Sequence, residues 1–201
     1  SWLDAWLYDT PSTAHIIALQ HGARAGCRDH GYGLLINPCN HLDEDLVVKV
    51  RALARQSRVD GRLLTPPLCD MSELLDMLDA RGLKYTRISP LEHSSRSPFV
   101  YADESQAAYR MTEYLISQGH TRIALITGHP HRSGPELRLQ GYREALSLAG
   151  VPVDEALIQA TAFTPEAGGT AVGEALDAGL DVDAVFTSDE MAVGVLYALH
   201  E

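Results

Sequence analysis

The feature that most constrains this chain is a regular alternation of short apolar runs with longer helical patterns, most of the helices closed by a glycine. Residues 3–8 read as a first strand, ending at the turn residues Asp9-Thr10-Pro11-Ser12. Residues 13–30 are helical, with Ile16, Leu19, Ala23 and Cys27 on one face and Gly31 as the cap. Residues 32–36 form a second strand that stops at Asn37-Pro38. A helix over 43–56 gathers Leu46, Val50, Leu53 and Ala54 into an apolar stripe. Residues 59–65 are a third strand, stopped by Pro66-Pro67. The helix over 71–81 turns Leu74, Leu75 and Leu78 inward and is capped by Gly82, and residues 84–88 are a fourth strand. A polar loop over 89–97 and a short strand over 99–101 close this first series.

At Asp103 the rhythm restarts. The pattern predicts a helix over 103–118 with Ala107, Met111, Tyr114 and Leu115 on one face, then a strand over 122–127. A helix over 135–149 follows, with Leu139, Tyr142 and Leu146 on one face and Gly150 as its cap. After it come a weak strand over 157–162, a helix over 164–178 opened by Thr164-Pro165-Glu166, a strand over 184–187 and a last helix from Glu190. Such alternation implies parallel sheets wound through right-handed crossovers. Two series imply two similar lobes of an α/β protein, residues 1–101 and 102–201.

The 201 residues suffice for two small lobes with cores of their own. With 16 basic against 27 acidic residues the formal charge is -11, which repels phosphate backbones; this stretch is not expected to bind nucleic acid by itself. No apolar run reaches the ~20 residues of a membrane span, and no basic-then-apolar leader opens the sequence. Cys27, Cys39 and Cys69 are odd in number and not in CxxC spacing, which favours reduced thiols in a cytoplasmic protein.

In open parallel sheets ligands bind beyond the carboxyl ends of the strands. That rule selects residues 9–13, Asn37-Pro38, Thr65-Pro66-Pro67, residues 128–131, Phe163 and Ser188-Asp189. Carboxylates and amides there can take hydroxyls while an aromatic stacks on an apolar ring face, a set that suits a polyol. The phosphate loop, the GxSxG elbow and HExxH are absent from the sequence. His129-Pro130-His131 lacks an acidic third ligand at a telling distance, so neither a metal nor a cofactor is expected. Arg138, near a helix start, has Glu136 and Glu144 as local ion-pair candidates.

Four stretches together resemble one family. Residues 115–128, Leu-Ile-Ser-Gln-Gly-His-Thr-Arg-Ile-Ala-Leu-Ile-Thr-Gly, resemble the central signature of the LacI/GalR (lactose-repressor) transcription regulators. Arg138-Leu139-Gln140-Gly141-Tyr142 resembles that family's R-x-x-G-[FYW] motif, and Val59-Asp60-Gly61 its VDG motif. Residues 184–194, Ala-Val-Phe-Thr-Ser-Asp-Glu-Met-Ala-Val-Gly, resemble A-[IV]-[FV]-x-x-N-D-x-M-A-x-G. The resemblance implies a periplasmic-binding-protein-like, type I effector domain of two Rossmann-like lobes. Its two lobes would hold a sugar or other small metabolite in their cleft, and closure would change a homodimer's affinity for operator DNA. The helices from Thr13 and Met71 would then lie at the dimer face.

By position, Arg138 matches the arginine that holds effector hydroxyls. Ser188 stands where the family has a ligand-contacting Asn and is followed by Asp189; Phe163 matches a stacking aromatic. In the first lobe Asp9 and Ser12 match the loop after the first strand, while Thr65 and Asp70 flank the loop after the third. Ser in place of Asn shortens the reach and suggests a different or larger ligand. Relative to the family, a helix-turn-helix head before Ser1 and a final crossover after Glu201 are missing, so both lobes are expected to be incomplete and the stretch marginal when expressed alone. A periplasmic sugar-binding protein of a transport system is the alternative with the same fold. An enzyme is not expected.

Overall fold

The computed structural model describes residues 1–8, 14–39, 45–56, 59–91, 95–128 and 133–200. It divides into two compact units, Ser1–Ala102 and Asp103–Glu201.

Unit 1 is a five-stranded sheet in the order β2-β1-β3-β4-β5, every neighbouring pair parallel. The strands are β1 (Trp2–Tyr8), β2 (Gly33–Cys39), β3 (Gly61–Leu64), β4 (Tyr85–Ile88) and β5 (Phe99–Val100). Helices α1 (Ala14–Asp29), α2 (Leu46–Gln56) and α3 (Ser72–Asp79) are the crossovers. The apolar stripe of α2 and the inward leucines of α3 meet Trp6, Leu64 and Tyr85 of the sheet in one core. Each fully buried Leu of that set, such as Leu74 or Leu78, stabilises the fold by roughly 1.5–3 kcal/mol. Strand β2 runs through Asn37-Pro38 instead of stopping there, with Pro38 opposite Leu7. It is an edge strand, and the missing N–H of proline is tolerated at an edge.

Unit 2 has the parallel sheet order β7-β6-β8, with β6 (Ile123–Gly128), β7 (Ile158–Thr161) and β8 (Ala184–Phe186). Its helices are α4 (Glu104–Ser117), α5 (Ser133–Leu148), α6 (Pro165–Asp177) and α7 (Asp189–Ala198). All six residues of β6 are buried. Ile123 and Leu125 face Tyr142 and Leu146 of α5, while Ile126 faces Ala171, Val172, Met191 and Val195 of α6 and α7.

Glycine caps end the helices of both units. At Gly31 and Gly150 the backbone takes φ of +74° and +70°, and the next amides, of Tyr32 and Val151, reach back to the carbonyls of Cys27 and Leu146. Gly82, Gly119 and Gly179 close their helices in the same way.

The inward face of α4 differs from the expected one. Ala108 and Thr112 are buried, whereas Met111 and Tyr114 are 46% and 58% exposed. The reason lies on α5: a Cβ on Gly141 would overlap the Ser105 carbonyl oxygen and sit 2.8 Å from the Tyr109 amide. The helices pack backbone to backbone there, and small residues of α4, not its largest apolar ones, fill the contact.

One Asp does the same work in each unit. Asp60, just before β3, accepts from the Trp2 amide (2.8 Å), and its own amide donates to the Trp2 carbonyl (2.8 Å). Asp183, just before β8, accepts from the amides of Thr121 (2.9 Å) and Arg122 (3.2 Å), and its amide donates to the Arg122 carbonyl (3.0 Å). His120 Nδ1 is 3.6 Å from the same carboxylate. In both units an Asp thus ties the start of one strand to the start of the strand beside it. Asp183→Ala leaves amides at a strand start unpaired and is expected to lower stability by about 1–2 kcal/mol in urea unfolding; a loss of a few tenths would remove this role.

Candidate functional site

The carboxyl ends of the unit 2 strands collect the best-formed group. Strand β6 ends in Thr127-Gly128, β7 leads into Phe163 and β8 leads into Ser188; α4, which starts at Glu104, and α5, which carries Arg138, are joined through those two side chains. Gly128 lets the Phe163 ring lie directly on the strand end, since a Cβ at 128 would run into Cε2 and Cζ of that ring. The ring also packs against the Ile126 cluster, which fixes it as a platform.

Among the described residues two hydroxyls at this edge have no partner. Thr127 is 7% exposed, and its Oγ1 is buried without a hydrogen bond. Ser188 is the N-cap residue of α7, where serine ordinarily accepts from the helix amides; here it makes no such bond and its buried Oγ is unpaired. A buried hydroxyl left in that state costs on the order of 1–3 kcal/mol, which a ligand hydroxyl can recover. Thr187, next to Ser188, is by contrast engaged, donating to the Ile126 carbonyl at 2.8 Å. Asp189, exposed, opens α7.

Arg138 pairs with neither Glu136 nor Glu144. Its Nε donates to Glu104 Oε2 at 2.7 Å, across from α5 to α4, with both side chains less than one-third exposed. Glu104 and Thr127 are functional candidates that sequence spacing missed. Glu104 is 34 residues from its partner and no local pattern links them. Thr127 could have been noticed as the one hydroxyl in an otherwise apolar strand.

In unit 1 the described sequence-selected residues Thr65 and Asp70 are already engaged in hydrogen bonds. Thr65 is buried, and its Oγ1 donates to the Trp6 carbonyl at 3.3 Å. Asp70, in the 3-10 turn Leu68–Asp70, accepts from the Leu91 amide at 2.9 Å and from Cys69 Sγ at 3.4 Å. Burial, then the charge and hydrogen bond of Asp70, push the Cys69 thiol well up from its ordinary value, so it stays protonated and inert. Asp9, Ser12 and His129-Pro130-His131 lie outside the described residues.

A cavity of about 700 Å³ opens at the opposite, amino end of the unit 2 sheet, lined by Arg122, Tyr142, Pro152 and Asp154 among others. Its polar groups already satisfy one another: Arg122 pairs with Asp154 and Asp181, and Tyr142 Oη donates to the Ile123 carbonyl at 2.8 Å. Burial, then Asp154 and Glu155, push the Tyr142 phenol up to about 12. Among the described residues no cluster of three or more His, Cys, Asp or Glu is placed to hold a metal ion, and no helix is long and apolar enough to cross a membrane.

Comparison with solved structures defines the class of fold. The transcriptional regulator CelR in its cellobiose complex superposes with a TM-score of 0.86 at 29% identity, over 99% of this chain and 62% of that one. The Escherichia coli transcriptional repressor AscG gives 0.82 at 25% identity, over all of this chain and 73% of that one. The family described as periplasmic binding proteins and sugar binding domain of LacI family matches residues 5–201, and the chain belongs to it.

Among curated relatives, AscG of Escherichia coli K12 is 30% identical over 91% of this chain and 54% of its own length. The ribose operon repressor of the same strain is 32% identical over 91% and 56%. CelR of Thermobifida fusca is 40% identical over 70% and 42%. The chain spans about half the length of the curated relatives it matches. These relatives are transcription regulators, not enzymes, and the transport alternative is correspondingly less supported.

Proposed function

We propose that this chain is the effector-sensing part of a cytoplasmic LacI-type transcription regulator. It acts as a homodimer without catalysis and binds a sugar-like molecule whose occupancy is passed to a separate DNA-binding segment. Arg138, Phe163, Ser188 and Asp189 of unit 2 supply one set of ligand contacts; Asp9, Ser12, Thr65 and Asp70 of unit 1 supply the other.

The observation that carries this reading is the edge of unit 2. There an aromatic platform seated on Gly128 stands at the same strand ends as two unpaired buried hydroxyls and the guanidinium of Arg138. An apolar ring beside directional hydroxyl partners suits a sugar, whose faces are apolar and whose rim is hydroxylated. CelR, solved with cellobiose, and the ribose operon repressor among the relatives make those sugars the first probes.

Calorimetric titration with cellobiose, ribose and a panel of mono- and disaccharides tests it. At least one is expected to bind, and Arg138→Ala is expected to weaken that binding about tenfold or more, the loss of one charge-assisted hydrogen bond. Unchanged affinity in the variant would remove Arg138 from the site, and a panel with no binder would overturn the sugar assignment.

A further inference from the structure

We infer that Glu104 cancels the charge of Arg138 and so makes this edge a receptor for a neutral, hydroxylated ligand, closed to phosphorylated or carboxylated ones. This rests on the placement of Arg138 in the ligand site and narrows the class of molecule that site takes.

A guanidinium can grip an anion through a pair of parallel N–H groups, and an arginine in a sugar site is equally competent to hold a phosphate. What decides between them is the net charge around it. Arg138 Nε is bonded to Glu104 at 2.7 Å, and among the described residues Glu104 is its only polar partner. The side chains are 30% and 23% exposed, so water screens the pair only in part. The Nη groups remain to donate to hydroxyls, but from a pair whose formal charge is zero.

Among the described residues the rest of this edge adds no positive charge; the loop after β6, with His129, His131 and Arg132, lies outside them. Asp103 and Glu104 open α4, Glu136 lies in the first turn of α5, Glu166 in that of α6, and Asp189 and Glu190 in that of α7. Among the described residues of these first turns and strand ends, Arg138 is the lone cation against them. The unpaired groups, Thr127 Oγ1 and Ser188 Oγ, are neutral. An incoming phosphate would meet a compensated cation and several carboxylates, whereas a sugar hydroxyl would meet donors and acceptors it can use.

Inorganic phosphate is the probe, titrated calorimetrically into the full chain as wild type, Glu104→Gln, Glu104→Asp and the double variant Glu104→Gln/Arg138→Gln, with circular dichroism confirming the fold of each. Glu104→Gln keeps the shape and removes the charge; it is expected to bind phosphate at least about tenfold more tightly than wild type. Glu104→Asp, which keeps the charge, should stay at the wild-type level, and the double variant should lose the gain. Glu104→Ala is read in the same way should the amide variant not fold. No gain on removing the carboxylate, a gain that survives loss of Arg138, or wild-type phosphate binding as tight as that of Glu104→Gln would each overturn the inference. No sugar enters this measurement, so its failure and failure of the sugar titration are separate results.

Discussion

Gly194→Ala is expected to cost unit 2 about 3 kcal/mol or more, a large loss for a single added methyl group. Gly194 lies in α7 against the first turn of α6. A Cβ there would overlap the Pro165 carbonyl oxygen, come 2.5 Å from its carbon and reach 3.0 Å from the Gly169 amide. All three are backbone atoms, and none can swing aside as a side chain would. Relief requires α6 and α7 to separate, which loosens Ala171, Val172, Met191 and Val195 around Ile126 and shifts the start of α7 where Ser188 sits. Gly173, also in α6, is the control, because a Cβ there meets nothing within 4 Å. Gly173→Ala should be neutral or stabilising by roughly 0.5–1 kcal/mol through helix propensity. Urea unfolding of the two variants reads the difference, and equal midpoints would overturn this account of the α6–α7 contact.

The second large effect is expected at Asp4, which is fully buried in β1. Its carboxylate accepts from Trp6 Nε1 at 2.8 Å and from Asn37 Nδ2 at 2.6 Å. Opposite it in the β1–β3 register is Arg62, 4% exposed, with its guanidinium 5.5 Å over the Trp6 ring and its Nε unpaired. Burial lowers the Arg62 pKa, and the charge of Asp4 works against that. Asp4→Ala would leave a buried and a half-buried donor without this acceptor and a buried cation without this counter-charge, so a loss of about 3–5 kcal/mol is expected. Asp4→Asn keeps the size and an acceptor but not the charge and should fall between. If Asp4→Asn unfolds at the wild-type midpoint, the charge does no work and only the hydrogen bonds matter.

Neither effect was visible from periodicity, for a physical reason. The alternation of strands and helices sits in the polarity and spacing of side chains, so the order of elements and most inward faces could be read directly. Leu74, Leu75 and Leu78 are buried as their spacing requires. Close helix contacts obey a different rule, because they are made by what is missing. Gly141 draws α4 in through Ser105 and Tyr109, and the larger Met111 and Tyr114 are left outside. The candidate site divides in the same manner. Arg138, Phe163 and Ser188 stood out by motif position, whereas Glu104 and Thr127 depend on tertiary neighbours no local pattern encodes. Asp4 and Arg62 offered a faint signal, single opposite charges inside two apolar strand runs, which becomes meaningful only once β1 and β3 are known to be paired.

The matched aspartates at the strand starts have a practical corollary. Asp60 and Asp183 fasten each sheet at its amino end, while the unit 2 residues proposed for ligand recognition, Phe163 and Ser188, follow the carboxyl ends of its strands. Anchorage and selectivity are therefore written in different parts of the text. A library that randomises the carboxyl-end loops of unit 2 while leaving both latches and the packing glycines untouched should return folded receptors with altered taste, and biosensor builders could rewrite this scaffold from one end.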